Sequence, residues 1–134
     1  MNLYKITQPQ IYADLPCSVV ACSAAVQNIQ KVTTEQAKNI VLNIAIDNSV
    51  NFRRTGYLTI REMNRFVRML FKVNKYYYHK RGTRPLLKEL TLQQRAIVLI
   101  RGHYVFWHGD GLYDSFFDNA NDEVVAYWCV DDKM

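Results

Sequence analysis

The sequence predicts an α+β protein, with helices first and an antiparallel sheet after them. Apolar residues recur at helical spacing in the first half of the chain. Threonine-led capping signals introduce two of those runs. From Ala96 onward, short β-branched and aromatic runs alternate with turn residues. A chain of 134 residues is long enough for one core and too short for two, so residues 1–134 are read as a single domain.

Gln8-Pro9-Gln10 is a polar, turn-prone approach, and Asp14-Leu15-Pro16 leads into the first helix, which runs from Cys17 to about Gln30 with Val19, Cys22, Val26 and Ile29 on its apolar stripe. In Thr33-Thr34-Glu35-Gln36 the Thr33 hydroxyl and the Gln36 side chain can cap each other's backbone amides, and Ala37, Ile40, Val41, Ile44 and Ala45 then give the buried stripe of helix two. Asn48 to Gly56 reads as a mostly polar connection. Thr59-Ile60-Arg61-Glu62 repeats the box, and Met63, Phe66, Val67, Leu70 and Phe71 define helix three, expected to continue until Lys80-Arg81-Gly82-Thr83-Arg84-Pro85 breaks it. Leu86 to Leu90 adds one short turn. Strands are expected at Ala96–Arg101, His103–His108, Leu112–Phe116 and Val124–Val130.

Composition narrows the function. Residues are 49% apolar and 22% charged, as in an ordinary globular protein, and no run of about 18 apolar residues is present to cross a bilayer, so no membrane partner is expected. The N-terminus lacks the basic-then-apolar pattern of a secretory signal, which points to a cytoplasmic location. Cys17, Cys22 and Cys129 are odd in number and lack paired metal spacing, against a disulfide framework or a zinc site. The net charge of +5 is concentrated in a basic block between residues 53 and 84, made by Arg53, Arg54, Arg61, Arg65, Arg68, Lys72, Lys75, Lys80, Arg81 and Arg84 against the single acid Glu62. Cations mixed with aromatics suit an acidic protein or a nucleic acid, although the cations of helix three also read as a solvated helix face.

The chemistry-bearing residues lie at the two ends of the chain. Cys17 falls in the first turn of a helix, where unsatisfied amides and the helix dipole favour a thiolate nucleophile; Cys22 and Cys129 read as small core residues. His103, directly after Gly102 at the start of a strand, is the candidate base, while His79 and His108 read as solvated surface residues. The return strand brings a carboxylate to orient it. A two-residue Asp110-Gly111 turn pairs Trp107 with Asp114 and His103 with Asp118 on one face; a three-residue loop moves Asp114 to the other face unless a bulge restores it. Both Asp114 and Asp118 stay open on this ground.

Asp14-Leu15-Pro16-Cys17-Ser18-Val19-Val20-Ala21-Cys22, then Gly102-His103-Tyr104-Val105 and Tyr113-Asp114-Ser115, resembles the papain-like cysteine peptidase superfamily, and most of all its compact bacterial and phage members. The resemblance leaves residues 31 to 95 unassigned. It implies a papain-like fold and a cysteine hydrolase acting on a peptide or isopeptide bond of a peptide or protein substrate, with no metal or organic cofactor. It also implies Asp114 as third residue, and a glutamine donating to the oxyanion, either Gln10 or Gln8, with Gln10 nearer the family spacing. The alternative is a small basic module that binds nucleic acid or a host protein, in which these residues are structural.

Overall fold

The computed structural model describes residues 3–52 and 58–133. The elements follow the order β1 (Tyr4–Thr7), α1 (Cys17–Gln30), α2 (Thr34–Asp47), α3 (Ile60–Leu70), β2 (Lys72–Tyr78), β3 (Ala96–Ile100), β4 (His103–Gly109), β5 (Leu112–Ser115) and β6 (Val124–Asp131), with 3-10 turns at Gln10–Tyr12 and Leu87–Glu89. The class is α+β. Both threonine boxes form: Thr33 caps α2 and Thr59 caps α3, each with the reciprocal bond from the third helical residue.

Among the described residues the strands form one sheet of six, in the order β1-β5-β4-β3-β6-β2. This sheet is mixed rather than antiparallel. Tyr4–Thr7 precedes all the helices and pairs parallel with β5, from Tyr4 opposite Leu112 to Thr7 opposite Ser115. The second departure is at helix three, which ends at Leu70; Lys72–Tyr78 then leaves it as an edge strand antiparallel to β6. Three consecutive tyrosines suit a pleated strand better than a helix, because aromatic side chains lose rotamer freedom against the preceding helical turn. Arg53 and Arg54 of the basic block, and the end of the connection that reaches Gly56, lie outside the described residues.

Helices cover one face of the sheet. Val19, Cys22 and Val26 of α1, Val41 of α2 and Phe66 of α3 pack with Leu99, Tyr104, Phe106 and Trp128. The opposite face buries Val98, Val105, Trp107 and Tyr127 beneath Leu87, Leu90, Leu92 and Leu3. Each tryptophan satisfies its indole N–H, Trp107 on the Leu92 carbonyl and Trp128 on Asn64 Oδ1, both at 3.0 Å. Among the described residues no helix is long and apolar enough to cross a membrane.

Candidate active site

Helix α1 lies along β4, and this packing sets the site. Its N-terminal residue Cys17 meets the start of β4 at the Tyr104 backbone, while Asn28, near its C-terminus, meets His108 at the far end of the strand. Backbone groups of Tyr104, Ser18 and Cys17 itself lie beside the half-buried Cys17 thiol and favour the thiolate. Burial outweighs them and pushes the thiol up. Cys22 is fully buried and raised much further, as expected of a core residue; burial also raises Cys129.

His103 is the residue before Tyr104, so the structure brings it to the end of β4 that receives Cys17. Its ring, however, stands edge-to-face on Phe117 at 5.5 Å. Strand alternation assigns it to the face of Val105 and Trp107, opposite the helix-covered face on which Cys17 packs, so the two residues share an end of β4 but not a side of the sheet. Burial pushes this imidazole down, with the Asp122 carboxylate pulling the other way.

Asp114 is not beside His103. Its Oδ2 lies 2.7 Å from Nε2 of His108, with both side chains largely buried, so His108 is no solvated surface residue. The cause is register. Asp110-Gly111 makes a two-residue turn closed by Gly109 opposite Leu112, but a bulge at His108 then sets Trp107 opposite Tyr113 and Phe106 opposite Asp114. The shift of one residue places Asp114 on the face of Phe106, toward the helices and away from His103.

The His108 tautomer follows from its neighbours. Arg95 Nη1 donates to Asn28 Oδ1 at 3.2 Å, which turns Asn28 Nδ2 toward His108 Nδ1 at 3.4 Å. Nδ1 therefore accepts, and Nε2–H donates to Asp114. Arg95 is held in turn by Asp131 at 3.0 Å. The chain of bonds ties the end of α1 to β4, β5 and β6.

Asp118 turns its carboxylate back to the Ala120 amide at 3.2 Å and is exposed. The charge that acts on His103 is Asp122, part of a network in which Ser115 Oγ donates to Asn119 Oδ1 at 2.6 Å and Asn119 Nδ2 donates to Asp122 at 3.0 Å. Asn119 and Asp122 were missed in the sequence because they lie in the loop after β5, where no strand period locates them. Of the two glutamines, Gln8 is 6% exposed whereas Gln10 is exposed at the start of a 3-10 turn.

No family model, curated protein or solved structure matches this chain.

Proposed function

We propose that the protein is a papain-like thiol hydrolase that cleaves a peptide or isopeptide bond, with Cys17 as nucleophile and His103 as general base. The observation that carries this reading is the Cys17 sulfur at a helix N-terminus, beside backbone groups of Ser18 and Tyr104 that favour the thiolate, at the end of β4 where His103 begins the strand. Raised thiol and lowered imidazole make the resting pair neutral, so the thiol proton moves only as the sulfur attacks. For His103 to accept that proton, its ring must leave Phe117 and the face of Trp107 and pass the end of β4 to the helix side, where Cys17 lies; the sulfur–carbon bond then forms as the carbonyl becomes an oxyanion. On collapse of this intermediate His103 protonates the leaving amine. Water, deprotonated by His103, then hydrolyses the thioester and restores the thiol. Asp122, supported by Asn119, stabilises the imidazolium in place of Asp114, and Gln8 rather than Gln10 supplies the side-chain donor to the oxyanion.

A peptidyl vinyl sulfone tests this directly. Intact-mass spectrometry is expected to find one adduct, at Cys17, absent from Cys17→Ser and formed at least a hundredfold more slowly in His103→Ala. Equal rates in wild type and His103→Ala would remove the base from the proposal.

A further inference from the structure

The edge strand β2 carries features that hydrolysis does not use. Between Lys72 and Arg84 there are five cations, Lys72, Lys75, Lys80, Arg81 and Arg84, and no carboxylate. Tyr76, Tyr77 and Tyr78 follow one another on this strand and are 38%, 46% and 45% exposed. Their rings are braced from within. Tyr77 stacks on Tyr127 with centroids 5.8 Å apart and planes 15° apart, and Lys75 Nζ lies 5.8 Å from both centroids. Tyr76 packs on Trp128 at 5.2 Å, and Tyr78 accepts a bond from Arg84 Nη2 at 2.9 Å.

Helix α3 adds its basic face to the same edge. Asn64 Oδ1 accepts from Trp128 Nε1 and from Arg68 Nε, each at 3.0 Å, so Arg68 is fixed beside the indole on which Tyr76 rests. Arg61 and Arg65 continue that face and are exposed.

We propose that this edge binds single-stranded nucleic acid, the tyrosine rings stacking on unpaired bases while Lys75, Lys80, Arg81 and Arg68 meet the phosphates. Two features select this partner over an acidic peptide or a duplex. Braced, half-exposed rings present π-faces that carboxylates do not need, and only an unpaired strand has base faces available to them. The alternation of β2 sends Tyr77 to one side of the edge and Tyr76 and Tyr78 to the other, so bases splay around the strand.

Fluorescence anisotropy with a fluorescein-labelled twelve-residue oligothymidylate, in low and rising salt, tests the proposal. The oligonucleotide is expected to bind at least tenfold more tightly than a twelve-base-pair duplex or a polyglutamate peptide of equal charge. Tyr77→Leu is expected to weaken it roughly tenfold without altering the salt slope. Replacing Lys75, Lys80 and Arg81 together with glutamine is expected to reduce the slope by about 2, at about 0.7 for each lost phosphate contact. Circular dichroism and vinyl sulfone labelling of Cys17 confirm that each variant is folded. Binding of polyglutamate or duplex as tight as that of the oligonucleotide, an unaffected Tyr77→Leu variant, or no binding at low salt would each overturn the assignment. None of these outcomes bears on Cys17.

Discussion

His108 Nε2 and Asp114 Oδ2 are 2.7 Å apart, and a bulge at His108 itself is what lets them meet. The pair has the form of a base and its orienting acid, yet the contacts of His108 are with Asp114, Asn28 and the Phe106 ring, not with a thiol. We read it as the tie between α1 and the sheet.

Asp114→Asn therefore separates structure from catalysis. Loss of a largely buried, charge-assisted bond is expected to cost about 1.5–3 kcal/mol in urea unfolding. Vinyl sulfone labelling of Cys17 is expected to stay within a factor of two of wild type below the unfolding transition. Abolition of labelling in the folded variant would return Asp114 to the catalytic group.

The pH dependence of His103 has a definite sign. Burial holds its folded pKa below the unfolded value of about 6.5, so the unfolded chain binds the proton more readily. Stability from this residue is complete at neutral pH and is lost as pH falls below about 6.5 toward the folded pKa. Asp122→Asn removes the opposing influence and is expected to lower the His103 midpoint further in an NMR titration of its ring protons. A wild-type midpoint above 6.5 would contradict this, and would point to an imidazolium held by an acid.

The thiols are expected to separate by reactivity. Since burial outweighs the backbone bonds at Cys17, iodoacetamide should label it with a pH midpoint above that of an ordinary thiol, about 8.5, rather than below it. Cys22 and Cys129, buried on the two faces of the sheet, should remain unlabelled in the folded protein. Rapid Cys17 labelling at pH about 6 would instead reveal a preformed thiolate and imidazolium.

Local signals made the helices legible. Helix α1 runs from Cys17 to Gln30, as its apolar spacing predicts, and the boxes at Thr33 and Thr59 start α2 and α3, because a cap is written within four adjacent residues. The run Ala96–Ile100 and the strands after it were legible for the same reason. What was not legible depends on distant partners: Tyr4–Thr7 is short and half-exposed, and is a strand only because β5 lies beside it. The candidate site divides along the same line. The placement of Cys17 in the first turn of α1 is local, whereas the match of Asp114 to a histidine turned on one bulged residue, which shifts every later pair by one.

The two glutamines give the last prediction. Gln8 directly follows Thr7, which is opposite Ser115 at the last pair of β1 with β5. Gln8 is also the buried one of the two, which an oxyanion donor shielded from water requires. The burst of nitrophenolate released from p-nitrophenyl acetate reports acylation of Cys17 through an oxyanion, without knowledge of the natural substrate. Gln8→Ala is expected to slow that burst by about a hundredfold, the lower end of what one lost oxyanion donor costs. Gln10→Ala, at an exposed turn, is expected to leave it within a factor of two. The reverse order would assign the donor to Gln10, and equal, small effects would leave the backbone amides of Cys17 and Ser18 as the oxyanion's donors.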